Sequence, residues 1–186
     1  MKKAPSTLIN MLLSLTLIAV VAGGVLGFVS GMTKEPIAQV EKQQKEDAIK
    51  AVLPAFETLK TETVDETEIN IGLDKDGNPV GMAIESVSKK GFGGDLGVMV
   101  GFDNDGNISG YKIVKTSETP GLGAKAGDWF QKDGKGCVIG KNPSTPLSVK
   151  KDGGDIDAIS GSTITSRAFC EAINNAYAVS QKGGNE

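Results

Sequence analysis

The hydrophobic rhythm of this chain changes three times. From Thr7 to Thr33 no charged residue occurs, and Leu8 to Val29 is rich in Leu, Ile, Val and Ala. That run is about the length of one helix crossing a bilayer. Lys34 to Lys60 is charged. Ile37, Val40, Ala48, Ile49, Val52, Leu53 and Phe56 nevertheless recur there at helical spacing, around a polar gap from Glu41 to Asp47. This predicts an amphipathic linker helix that Pro54 bends or ends. From Glu66 to Thr116 the period drops to two. Ile69 and Ile71 alternate, then Val80, Met82 and Ile84, then Leu96, Val98 and Val100, and less cleanly Ile108, Tyr111 and Ile113. Asp76-Gly77-Asn78 and Asp105-Gly106-Asn107 punctuate these strands as hairpin turns. Leu147-Ser148-Val149 is a further short strand candidate. Helical spacing returns from Arg167 to Val179, with Ala168, Phe169, Cys170, Ile173, Ala176 and Tyr177 on the buried side.

Strands first and a closing helix predict an α+β domain, an antiparallel sheet with helices, rather than a Rossmann unit. The expected plan is a cytoplasmic N-terminus (1–6), a transmembrane helix (7–33), a linker helix (34–60), an extracytoplasmic domain (61–182) and a tail (183–186). Lys2 and Lys3 ahead of the apolar run set that orientation. A cleaved signal peptide is the rival reading, but the apolar run is long for one and Val29-Ser30-Gly31 is a poor cleavage site.

Composition removes several chemistries. The 186 residues carry a net charge of −3 and no histidine. Histidine-based nucleophilic triads and imidazole zinc sites are therefore excluded, and no basic face bids for nucleic acid. Cys137 and Cys170 are too few for a Cys-only zinc or iron–sulfur site, and sequence leaves open whether they pair. The Asp-x-Asp-Gly-Asn stretches invite a calcium reading, but the glycine position and the closing glutamate of an EF-hand are missing, so turn chemistry is preferred.

Two stretches carry candidate chemistry. Asp157-Ala158-Ile159-Ser160-Gly161-Ser162-Thr163-Ile164-Thr165 sets four hydroxyls around one glycine just ahead of the last helix. Free backbone N–H groups and the positive end of a helix suit a phosphate; a plain N-cap without ligand is the alternative. Ser117-Glu118-Thr119-Pro120-Gly121-Leu122-Gly123-Ala124-Lys125 reads alone as a turn whose glycines admit a planar ligand.

Together the two stretches resemble the signatures of the FMN-binding domain family, Glu-Thr-Pro-Gly-Leu-Gly and Ser-Gly-Ala-Thr-x-Thr, about thirty-five residues apart and in that order. The family includes the G subunit of the Rnf electron-transport complex and the C subunit of the sodium-pumping NADH:quinone reductase. The resemblance implies FMN joined through a phosphoester to Thr163, with Thr165 the second candidate and Ser162 standing where alanine is usual. It implies that Ser160, Gly161, Ser162 and Ile164 surround the phosphate and that Arg167 helps to neutralise it. Glu118, Thr119, Gly121, Leu122 and Gly123 would lie against the flavin ring. Asp157 would be read by a flavin transferase that uses FAD and Mg²⁺. Trp129 stands near a family tryptophan at altered spacing and reads as a core residue.

The short length, without the long insertion of the quinone-reductase relative, favours an Rnf-type subunit. Such a subunit sits in the cytoplasmic membrane with other membrane and redox subunits. It relays electrons within a complex that moves them between ferredoxin and NAD⁺ while pumping Na⁺ or H⁺, and has no turnover of its own. The alternatives are a covalent-FMN subunit of another system, such as the quinone reductase or an extracellular reduction chain, and a flavin-free membrane-anchored binding module.

Overall fold

The structure is a computed structural model that describes residues 7–64 and 67–183. The expectations for residues 1–6, for Glu66 and for the tail beyond Gly183 lie outside the described residues. The chain divides after Gln43 into two units.

The first unit is the N-terminal part of helix α1 (Leu8–Val52). Its apolar side chains, among them Leu12, Leu17, Val21 and Phe28, are exposed. The helix is long and apolar enough to cross a membrane. In place of two helices meeting at residue 33, α1 runs through Pro36 without interruption. It also stops earlier than residue 60. Leu53 N–H makes a last bond to Ile49 C=O at 3.1 Å. Pro54 then follows, and a proline ring clashes with the preceding turn and has no N–H to continue the ladder. Residues 58–60 already belong to a strand.

The second unit holds a five-stranded sheet in the order β1-β2-β3-β4-β5, every neighbour antiparallel. The strands are β1 (Thr58–Val64), β2 (Thr67–Leu73), β3 (Pro79–Ser88), β4 (Leu96–Phe102) and β5 (Ile108–Lys115). The two Asp-Gly-Asn turns form as expected, each organised by the aspartate two residues before its first Asp. Asp74 Oδ1 accepts from the N–H groups of Asp76 and Asn78, and Asp103 Oδ1 accepts from those of Asp105 and Asn107.

Between β5 and the last helix the chain makes a long excursion that contains the short helix α2 (Ala126–Trp129). The last helix, α3 (Thr163–Gly183), packs across β3 and β4. The alternation in β4 sends Val98, Val100 and Phe102 toward α3, where they meet Phe169, Ile173 and Ala176 in the main core. Met99 and Gly101 face the other way, and the last turns of α1 cover them through Ala48, Ile49, Val52 and Leu53. Gly101 permits that contact, since a Cβ there would sit 2.2 Å from Val52 O. Ser109 Oγ fixes it by donating to the same carbonyl at 2.6 Å. With both faces covered, every residue of β4 is buried.

The excursion is pinned to the core at α2. Phe130 stacks on Phe169 with ring centroids 4.1 Å apart. The Tyr111 hydroxyl donates to Ala126 C=O at 2.7 Å and accepts from Phe130 N–H at 3.2 Å. The Leu147–Val149 segment contributes a single parallel bridge, Val149 to Ile156, rather than a full strand.

Cys137 and Cys170 are free thiols. Burial pushes the Cys170 thiol up to about 12, with the charges of Asp155 and Asp152 adding to the effect. It therefore stays protonated, and inert, at neutral pH. In the folded protein at pH 8, iodoacetamide is expected to label half-buried Cys137 first and Cys170 only after denaturation. Equal labelling of both before denaturation, read by peptide mass spectrometry, would contradict this packing.

Candidate functional site

Three separate segments meet at the start of α3. The turn before it is tight: Ser162 N–H bonds Ile159 C=O at 3.0 Å, and Gly161 takes φ +77°. Ser166 locks this turn from inside the helix, since its hydroxyl accepts from Ile159 N–H at 2.9 Å and donates to Ser162 C=O at 3.0 Å. The helix then begins at Thr163. The N–H groups of Thr163, Ile164 and Thr165 have no intrahelical acceptor, and they point along the positive end of the helix dipole.

The second segment arrives through Glu118, a carboxylate only 8% exposed. Its Oε2 accepts from the Thr165 hydroxyl at 2.9 Å. Its Oε1 accepts from Phe92 N–H at 2.7 Å and, more weakly, from Gly93 N–H at 3.3 Å. One buried side chain therefore ties the Lys90–Gly94 loop, the Pro-Gly turn and the first turn of α3 together. Charge-assisted bonds of this kind offset the cost of burying a carboxylate.

These segments enclose a cavity of about 350 Å³ lined by Phe92, Glu118, Thr119, Leu122, Gly123, Lys151, Gly161, Ser162, Thr163, Ile164 and Thr165. That volume lies within the range of small-molecule sites. Phe92, Leu122 and Ile164 are exposed apolar side chains at its rim. The two hydroxyl candidates differ sharply. Thr165 is fully buried and its hydroxyl is engaged by Glu118. Thr163 is half-buried, and its Oγ1 accepts from Lys151 Nζ at 3.1 Å.

Three residues expected to hold the flavin, Ser160, Gly121 and Arg167, are not in the cavity wall, and neither is Asp157, expected only as a residue read by the transferase. Ser160 and Gly121 are exposed and outside it, with Gly121 at φ +77° in its turn. Asp157 pairs with Lys150 at 2.7 Å, and its carbonyl accepts from half-buried Trp129 Nε1 at 2.8 Å. Arg167, expected beside the phosphate, lies instead in a neighbouring cleft with Asp152. It grips that carboxylate through Nε at 2.7 Å and Nη2 at 2.6 Å. The bidentate pair holds Asp152 below the usual carboxylate range and raises the guanidinium of Arg167 in turn. Sequence reading missed Lys151 and Phe92. Phe92 carried a signal, since one aromatic residue sits inside the Lys90-Gly91-Phe92-Gly93-Gly94 run.

Residues 91–178 match the FMN-binding domain family. The match spans the loop, the Pro-Gly turn and the start of α3, the three segments that build the cavity. Among curated relatives, the G subunit of the ion-translocating oxidoreductase complex of Shewanella baltica is 31% identical, over 87% of this chain and 84% of its own. The G subunit of the Na(+)-translocating ferredoxin:NAD(+) oxidoreductase complex of Acetobacterium woodii is 32% identical, over 91% and 89%. The chain belongs to this G-subunit family. The G subunit of the ion-translocating oxidoreductase complex of Methanosarcina acetivorans is 30% identical over 94% of this chain and 96% of its own. The crystal structure of Shewanella oneidensis NqrC is also similar, at 20% identity, with TM-score 0.47 and 64% of each chain covered.

Proposed function

We propose that this member of the G-subunit family is a membrane-anchored FMN carrier. In this reading it relays electrons within an Rnf-type ferredoxin:NAD⁺ oxidoreductase complex coupled to Na⁺ or H⁺ movement. The flavin is held by a phosphoester to Thr163. Helix α1 is the anchor, with its N-terminus in the cytoplasm and the domain outside, and the other membrane and redox subunits of the complex are the partners.

The observation that carries the proposal is the division of labour between the two threonines. Thr165 commits its hydroxyl to Glu118, whereas Thr163 presents its oxygen at a cavity that the FMN-binding match covers. The donor set fits a phosphorylated planar ring. Unpaired N–H groups of the first helical turn and Lys151 face the phosphate end, and Leu122, Ile164 and Phe92 supply the apolar contacts a ring needs. FMN, when bound, supplies the electron chemistry. The chain's own residues hold it, exclude water from its ring and keep it from leaving. Asp157, outside the cavity wall, partly exposed and paired with Lys150, is the residue a separate flavin transferase would read.

The test uses the full chain in membranes, co-expressed with a flavin transferase. A band that fluoresces on a denaturing gel, with FMN mass on the tryptic peptide 152–167, is the expected result. Absence of fluorescence beside an active transferase control would sink the proposal and leave a flavin-free module whose Ser/Thr turn caps a helix.

A further inference from the structure

We infer that Lys151 is the counter-ion of the flavin phosphate carried on Thr163, an inference that rests on the reading above. Around this turn the described cations are nearly all engaged by carboxylates. Lys150 pairs with Asp157 at 2.7 Å, Arg167 grips both oxygens of Asp152, and Lys141 pairs with Asp155. Lys151 differs. The polar contact of its ammonium is the neutral hydroxyl of Thr163, 3.1 Å away. Among the residues lining the cavity it is the sole cation, and Glu118 is the sole anion. Glu118 is already compensated by three donors from its own chain. The wall therefore holds a cation that makes no direct ion pair: neighbouring Asp152 feels its charge but is gripped by Arg167, and the ammonium itself is bonded to Thr163.

The backbone under Lys151 is fixed, which makes the placement a built feature. Residues Lys150–Asp152 form a 3-10 turn closed by Gly153 at φ +87°. Lys150 N–H bonds Ile156 C=O at 2.8 Å beside the Val149–Ile156 bridge. A phosphodiester on Thr163 keeps one negative charge, and its non-bridging oxygens are two bonds from the atom Lys151 already touches. Ammonium to phosphate is a stronger pairing than ammonium to hydroxyl. Attachment itself joins Thr163 Oγ1 to the flavin-side phosphorus of FAD, breaks the pyrophosphate P–O bond, and releases AMP and the hydroxyl proton. Lys151 is neither nucleophile nor base in that exchange; it neutralises the phosphate.

The experiment compares the wild-type full chain with Lys151→Ala, Lys151→Arg and, as a distant charge control, Lys112→Ala, each co-expressed with a flavin transferase. Two quantities are read: the initial rate of flavin incorporation and the ³¹P resonance of the attached phosphodiester. Lys151→Ala is expected to slow incorporation about tenfold, the size of one charge-assisted hydrogen bond at a partly exposed site. It should also shift the ³¹P resonance. Lys151→Arg should restore most of both, and Lys112→Ala should change neither. A wild-type ³¹P signal unchanged in Lys151→Ala overturns the inference whatever the rate does, because a slower rate alone would mean that the transferase reads this lysine. A wild type that takes up no flavin beside an active transferase overturns the FMN proposal itself, a different result from the first.

Discussion

Thr163→Ala is expected to remove all denaturation-resistant flavin from the protein while leaving its fold untouched. Thr163 is half-buried, and the contact its side chain gives up is a hydrogen bond from the exposed ammonium of Lys151. A substitution of that kind costs within ~0.5 kcal/mol of stability. Thr165→Val is expected to behave in the opposite way. It keeps the shape of a fully buried side chain but strips Glu118 Oε2 of its hydroxyl donor. A buried acceptor left without a partner costs about 1–3 kcal/mol, toward the upper end when it is charged. Urea denaturation followed by Trp129, the single tryptophan of the chain, measures the second effect, and gel fluorescence measures the first. Flavin that persists in Thr163→Ala and disappears in Thr165→Val, with stability unchanged, would move the acceptor to Thr165 and overturn the assignment.

The local rules of the chain were legible wherever side chains met only their own strand or helix. Alternation marked β2 to β5, aspartate-glycine chemistry marked both hairpins, and helical spacing marked α3 with its buried Ala168, Phe169, Cys170, Ile173 and Ala176. Strand β1 was not predicted, and its first three residues fell in the linker, for a physical reason. Thr58–Val64 is mostly exposed and polar, and it is held as a strand by pairing with β2 and by a Thr61–Asn70 side-chain bond at 3.0 Å. Pairing of that sort is tertiary information, and intrinsic strand preference is weak without it. The site followed the same division. Residues of both motifs line one cavity, but which cation faces it depends on which carboxylates capture the others. Asp152 takes Arg167 and Asp157 takes Lys150, and nothing in the spacing of the segment announces that Lys151 is the one that reaches the Thr163 hydroxyl. Glu118 was likewise expected against the ring. Its oxygens are occupied by Thr165, Phe92 and Gly93, so it acts as the clamp that gives the cavity its walls.

That clamp makes Gly123→Ala a strongly damaging small substitution at the site, at roughly 3 kcal/mol. A Cβ on Gly123 would lie 2.3 Å from Glu118 Oε2 and 2.7 Å from Thr165 Oγ1. An exposed carboxylate would swing aside at little cost. This one is buried and bonded at both oxygens, so any retreat breaks the Thr165 bond or pulls on the Phe92 loop. The overpacking and the lost charge-assisted bond therefore add. Gly121, two residues earlier in the same motif, is a glycine for another reason. Its φ of +77° is left-handed, but nothing lies within 4 Å of the Cβ position. Gly121→Ala should cost roughly 1 kcal/mol of backbone strain and leave flavin attachment intact. In Gly123→Ala the cavity wall itself is displaced, so incorporation should fall together with stability. Equal and small losses in both variants, measured by urea denaturation and flavin uptake side by side, would mean that the Glu118 carboxylate is free to move. The shape of the cavity would then come from something other than this clamp.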